Sequence, residues 1–201
     1  MNDEVRRFAT GRLTIEVLHP GHAAPLFPAL SDPRLYAYVE ERPPKSEAAL
    51  AQRYAQLERG APEGSGEIWL NWAIRLLPSR EYIGTLQATI YRDHAASIAY
   101  VLSPTHWRFG YATEAVQWLL EHLATELGVV EIRASVDTRN EASWRLLERL
   151  RFTRVQTQAA ELHGKPSTDY RYRLVGVSGR GRRARSGTAA DSSLVPPDHG
   201  S

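Results

Sequence analysis

The chain has 201 residues, 42% of them hydrophobic and 24% charged, and no cysteine, which excludes a disulfide scaffold, thiolate zinc sites and a cysteine nucleophile. Lysine and arginine total 25 against 23 acids, a net charge of +2 too balanced to argue for a nucleic-acid partner. No stretch approaches the roughly 20 apolar residues of a membrane span, so no membrane partner is expected.

The amino terminus, Met1-Asn2-Asp3-Glu4-Val5-Arg6-Arg7, lacks the apolar run of a secretory signal, so a cytoplasmic protein is expected. Residues 176–201 hold Arg180, Arg182, Arg183 and Arg185 against Asp191 and Asp198, with few large apolar side chains. Such a segment cannot bury enough surface to offset its ordering entropy, and it reads as a disordered basic tail. Residues 1–175 are then one domain with room for a proper core.

In chain order, Gly11 to Leu18 alternates Leu13, Ile15 and Val17 with Thr14 and Glu16, a half-buried strand. Pro20-Gly21 breaks it, and His22 to Leu30 reads as a short helix. Ser46 is a plausible N-cap for a second helix through Ala49, Leu50, Arg53, Tyr54 and Leu57, with Gly60 at its end. Three strand-like runs follow, Ile68–Leu76, Tyr82–Tyr91 and Ala96–Leu102, joined by tight turns that imply antiparallel hairpins. In the first run Trp72 shares a face with Leu70 and Ile74, while Trp69 and Asn71 lie on the other.

The period then changes. Ala112, Ala115, Val116, Leu119, Leu120, Leu123 and Leu127 recur at three and four residues, and Gly128 stops the run, marking a long amphipathic helix. Val130, Ile132, Ala134 and Val136 return to period two. A strand, a helix and a strand at this spacing form a crossover, which makes those two strands parallel. Asn140 caps another helix with Leu146, Leu147 and Leu150 inward, and Phe152–Thr157 with Asp169–Val175 read as a closing hairpin. The fold class is α/β: a mixed, mainly antiparallel sheet with a central parallel pair and helices on both faces.

Chemistry concentrates in Leu102-Ser103-Pro104-Thr105-His106-Trp107-Arg108-Phe109-Gly110-Tyr111-Ala112-Thr113-Glu114-Ala115. A strand ends, a loop holds Gly110 and Ala112, and a long helix begins. That arrangement aims several backbone N–H groups at one point and adds the helix dipole, making an anion site. The residues alone leave a second reading open, an ordinary loop closed by a glycine. Neither the Walker ending nor the three spaced glycines of a dinucleotide fingerprint is present. His19 and His22 have no neighbouring carboxylate or further histidine that would suggest a metal site.

Trp107-x-x-Gly110-Tyr111-Ala112-Thr113-Glu114-Ala115 resembles the pyrophosphate loop of the GCN5-related N-acetyltransferases (GNAT), most of all the branch with the ribosomal-protein N-terminal acetyltransferases. The likeness continues through Ile83-Gly84, Tyr100-Val101-Leu102-x-Pro104, Asp137-x-x-Asn140-x-x-Ser143 and Leu146-Leu147-Glu148-Arg149-Leu150-x-Phe152, and it covers roughly residues 8–175. It implies acetyl-coenzyme A as co-substrate, no metal, and a small-molecule or peptide amine as acceptor, and it leaves a homodimer open. Backbone N–H groups of Trp107, Arg108, Phe109, Gly110, Tyr111 and Ala112 would hold the pyrophosphate. Val101 and Leu102 would pair with the pantetheine arm through their main chain, in the gap where the parallel strands splay. Asn140 would bond the same arm, or serve as a plain N-cap, or both.

The implied reaction is direct attack of an amine on the thioester in a ternary complex, with a strand N–H near Leu102 as oxyanion donor. The chain departs from the family pattern in three respects. Ser97 stands where a carboxylate base is common, and Leu147 where a tyrosine acid is common, which makes Ser143 the candidate general acid; its alternative is a capping hydroxyl. Arg108 and Arg151 replace small residues, and Arg151 at a helix end would cost roughly 1 kcal/mol if it takes positive φ. The missing carboxylate at Ser97 and missing tyrosine at Leu147 suit an alternative function, a non-catalytic acetyl-coenzyme A sensor or scaffold module. Glu40 and Glu41, before Pro43-Pro44, are candidates for the acceptor wall.

Overall fold

A computed structural model describes residues 6–176; the expected basic tail, from residue 177 onward, lies outside the described residues. Eight strands, β1 (Arg7–Ala9), β2 (Leu13–Val17), β3 (Ile68–Leu76), β4 (Tyr82–Ile90), β5 (Ala95–Leu102), β6 (Glu131–Asp137), β7 (Thr153–Leu162) and β8 (Lys165–Val175), form one sheet in the order β1-β2-β3-β4-β5-β6-β8-β7. Four helices pack on it: α1 (Ala23–Leu30), α2 (Glu47–Glu58), α3 (Tyr111–Leu127) and α4 (Glu141–Arg149). Among the described residues no helix is long and apolar enough to cross a membrane.

Every neighbouring pair of strands is antiparallel except β5 and β6, which run parallel because α3 carries the chain from one to the other. Their pairing is short, from Ala95↔Glu131 to Ser97↔Arg133. Beyond Ser97, β5 keeps its ladder with β4 as far as Leu102, and β6 keeps its ladder with β8 as far as Asp137. A wedge therefore opens in the middle of the sheet.

The sheet's two faces bury different helices. Trp72, Ile74, Leu86, Ile98 and Ile132 meet Leu119 and Leu123 of α3 and Leu147 of α4 in the larger core. On the other face Ala73 packs with Leu26 and Leu30 of α1 and Leu50 and Tyr54 of α2. The local signals act as expected: the Ser46 hydroxyl accepts from the Ala49 N–H at 3.1 Å, and Gly128 ends α3 at φ 65°.

Three features differ from the sequence expectations. The strand β1 has too few residues to show a period, and its pairing with β2 exists only in the tertiary fold. β2 is buried on both faces, because the segment entering α1 covers the side that alternation left polar; Glu16 is only 1% exposed. Its carboxylate accepts from the Tyr82 hydroxyl at 2.9 Å and lies 3.2 Å from His22 Nε2 and 2.8 Å from Arg75 Nε. His22 thus has a carboxylate partner that its sequence neighbourhood did not reveal. Burial would raise the Glu16 carboxyl, but the Tyr82 and His22 hydrogen bonds and the Arg75 and Arg7 charges hold it below its ordinary value.

The closing hairpin is the third difference. Its strands run on, with one register shift between Arg154 and Gln156, to a turn at His163-Gly164, and their middle offers no apolar alternation to read.

Arg151 does take the left-handed conformation, at φ 71°, just after α4. Arg151→Gly should therefore raise stability by about 1 kcal/mol, measured as the shift in urea midpoint at constant m-value; an unchanged midpoint would show that the strain is relieved elsewhere.

Candidate active site

From the end of β5 the chain makes one tight turn before α3 begins. The Ser103 N–H donates to Ile83 O at 2.7 Å, Pro104–His106 form a 3₁₀ turn, and the Trp107 N–H closes on Pro104 O at 3.3 Å. The Trp107 indole N–H donates to Leu102 O at 2.7 Å and ties the loop to the strand. Left-handed backbone at Arg108 (φ 66°) and Gly110 (φ 82°) then curls the chain into a concave turn. The N–H groups of Arg108, Phe109, Gly110, Tyr111 and Ala112 have no protein partner among the described residues. Trp107 differs from the rest of the expected set, because its own N–H is taken by the 3₁₀ turn.

The turn is held by a residue that the sequence reading passed over. Arg12, at the start of β2, donates from Nη1 to Phe109 O at 2.9 Å and from Nε to Glu114 Oε2 at 2.7 Å. Glu114, in the first turn of α3, also accepts from the Thr10 hydroxyl at 2.6 Å and the Arg12 N–H at 2.7 Å. Burial alone would raise the Glu114 carboxyl, but the Thr10 and Arg12 hydrogen bonds and the Arg12 charge outweigh it and hold it below its ordinary value. The Arg12 guanidinium also lies over the Tyr111 ring, 4.6 Å from its centroid. The available signal was an acid at a helix N-terminus; its partner, about a hundred residues away, had none.

The edge of β5 follows from ladder geometry. In an antiparallel pair, facing residues alternate between exchanging both main-chain bonds and exchanging none. Ser103 bonds Ile83, so Val101 with Thr85 is the next bonded pair, and Gly84 with Leu102 is the unbonded one between. The Leu102 main chain therefore points away from β4 into the wedge, as its carbonyl, caught by Trp107, confirms. Val101 presents its side chain to the site and its main chain to β4, so of the two expected pantetheine partners only Leu102 offers main-chain groups to the wedge. A Cβ on Gly84 would collide with the Val101 carbonyl, which accounts for the glycine of Ile83-Gly84.

Across the wedge stands the start of α4. Asn140 Oδ1 accepts from the Ser143 N–H at 3.2 Å, leaving the Asn140 amide donors without partners among the described residues. The Tyr100 hydroxyl reaches across from β5 to Ser143 O at 3.5 Å, and burial raises its pKa. Leu147 is fully buried and carries no chemistry.

Asp137 fixes the turn before Asn140. It accepts from the Arg139 guanidinium at 2.6 and 2.8 Å, from the Ser167 hydroxyl at 2.6 Å and from the Arg139 N–H at 2.9 Å. The Arg139 hydrogen bond is the main cause that lowers its carboxyl to about 2, against the burial that opposes it.

On the opposite side of the sheet, α1, α2 and the loop between them leave a cavity of about 190 Å³ over β4 and β5. Val101, Ala99, Thr85 and Gln87 form its sheet wall, next to the expected thioester position. Ser97 is the acceptor of the Tyr91 hydroxyl at 3.1 Å, so this strand supplies no carboxylate. Of the two candidate acids, Glu41 lines the cavity and lies 3.7 Å from Arg53. Glu40 instead accepts from the His163 N–H at 2.9 Å, pinning the tip of the β7–β8 hairpin over the loop. The Trp69 indole donates to Glu67 at 2.7 Å, and Trp72 is in the core.

A helix whose first-turn amides are open, beside a parallel pair that splays, is the arrangement of the GNAT fold. The family model described as "Acetyltransferase (GNAT) domain" matches residues 12–153, and the chain belongs to that family. Among curated relatives it is 34% identical over 110 residues to the uncharacterized N-acetyltransferase YoaA of Bacillus subtilis, covering 53% of this chain and 62% of that protein. It is 29% identical over 145 residues to the uncharacterized N-acetyltransferase p20 of Bacillus licheniformis, covering 71% and 80%. Solved structures of the same fold include the ribosomal L7/L12 alpha-N-protein acetyltransferase RimL (TM-score 0.74, 18% identity, 85% of this chain and 94% of that one). They also include a ribosomal-protein-S5-alanine acetyltransferase from Vibrio fischeri (TM-score 0.73, 17% identity, 85% and 96%).

Asp137 stabilises the fold above its unfolded pKa near 3.8 and loses that contribution as pH falls toward 2. Asp137→Asn should cost about 2 kcal/mol at neutral pH, with the gap to the parent closing between about pH 4 and pH 2 in urea titrations. A gap independent of pH would assign the loss to packing.

Proposed function

We propose that the protein is an N-acetyltransferase that moves an acetyl group from acetyl-coenzyme A to a primary amine by direct attack in a ternary complex. The observation that carries this reading is the row of unpartnered N–H groups from Arg108 to Ala112 where α3 begins. Such a row, with the helix dipole behind it, suits a diphosphate. Arg12 and Glu114 hold the row in shape, and the Arg108 side chain adds positive charge beside it.

In this reading the wedge takes the pantetheine arm between Leu102 and Asn140. The Leu102 N–H faces the wedge and stabilises the negative oxygen that forms as the amine nitrogen bonds to the acetyl carbon, a contribution on the order of 3 kcal/mol for a well-aimed donor. Breakage of the C–S bond releases thiolate on the α4 side, where the Ser143 hydroxyl donates a hydrogen bond to it. The ammonium must lose a proton before attack; with Ser97 bonded to Tyr91, water in the cavity carries that proton to solvent.

Calorimetry with acetyl-coenzyme A and a thiol-release assay over an amine panel test this. Gly110→Asp should abolish coenzyme binding, because it sets a carboxylate among the amides meant for phosphate, while the thermal midpoint reports whether the variant is folded. Ser143→Ala should lower kcat about tenfold with little change in KM for coenzyme. Wild-type binding weaker than tens of micromolar would defeat the reading, and binding without turnover of any amine would favour the sensor or scaffold alternative.

A further inference from the structure

The acceptor cavity has two unlike ends. At the sheet end, Val101 and Ala99 lie beside Leu102, with Leu18, Leu30 and Leu50 walling the middle. At the other end, hydrogen-bond donors outnumber acceptors. Glu41 is within 3.7 Å of Arg53, so its charge is already met, and Arg42 lines the same end with no carboxylate within 4 Å among the described residues. Tyr54, in α2, lines the cavity, is 3% exposed, and its hydroxyl has no hydrogen-bond partner among the described residues. The Arg53 charge acts on that same hydroxyl. A buried hydroxyl without an acceptor is unfavourable until a ligand supplies one, and the Arg42 and Arg53 guanidiniums in the same lining favour an anionic one.

We propose that the acceptor is a monoamine with an apolar body and a carboxylate at the end remote from the amine, the carboxylate being held by Arg42 and the Tyr54 hydroxyl. The assignment of the amine end rests on the acetyltransferase reading; the anion end stands on the cavity alone. A polycationic amine is disfavoured, since the cavity's one carboxylate is matched and a cation is left over.

The test is calorimetric titration of the protein without coenzyme, using 4-(2-aminoethyl)benzoate, 2-phenylethylamine and spermidine at neutral pH. The carboxylate-bearing amine should bind about fivefold tighter than its neutral parent, the size of a partly exposed charge-assisted pair, and spermidine should bind weakest. Arg42→Gln and Tyr54→Phe, each first shown by thermal melting to be folded, should bring the ratio between the two aromatic amines close to one. Equal affinities in the parent protein, spermidine binding as well as either, or no binding of any of the three overturns the proposal. Acetyl-coenzyme A titrated alongside reports separately on the transferase reading, which falls only if that ligand fails to bind.

Discussion

The ladder between β4 and β5 runs on to Leu102 after the ladder between β5 and β6 has stopped at Ser97, and the rest of the site depends on this mismatch. A strand that keeps one neighbour and loses the other has main-chain groups with nothing to bond, and in an antiparallel ladder they fall on every second residue. Leu102 is one of these, with its carbonyl met by the Trp107 indole and its N–H facing the wedge, and Val101 is not. Buried strand edges are unfavourable when left open, which is why the proposed reading seats the coenzyme arm in this wedge.

The loop after the strand obeys the same logic. A helix always begins with amides that lack partners, and most proteins cap them with a side chain. Here Gly110 precedes α3 without a capping hydrogen bond, and the nearby acid, Glu114, is turned outward to Arg12 and Thr10 instead of back onto the amides. That diversion keeps the amides available. The Arg12 to Phe109 carbonyl bond also ties the turn to the chain before β2.

The two faces of the sheet divide the work. The α3 and α4 face is a closed aliphatic core, which fixes the strands and the start of both helices to within the tolerance that hydrogen bonding demands. The α1 and α2 face is thinner and leaves a cavity whose far end carries Arg42, Arg53 and an unpartnered Tyr54 hydroxyl. The His163 to Glu40 contact pins the β7–β8 hairpin to the loop that walls this cavity, so a sheet edge and a loop from opposite ends of the chain share one boundary.

Much of this was legible from residue order. Period and punctuation located α3 between Gly110 and Gly128, the Ser46 and Asn140 caps, and the crossover that makes β5 and β6 parallel, because these are local consequences of backbone sterics and apolar spacing. The strand–loop–helix setting of Gly110 and its family likeness were legible for the same reason. What only the tertiary structure decided involves pairs distant in sequence: Arg12 with Glu114, Glu16 with Tyr82 and Arg75, Glu40 with His163, and the choice of Leu102 over Val101 as the residue facing the wedge. Alternation within one strand gives the side-chain faces, but which main-chain groups are free depends on where a neighbouring strand stops, and that neighbour is set by the packing of the whole sheet.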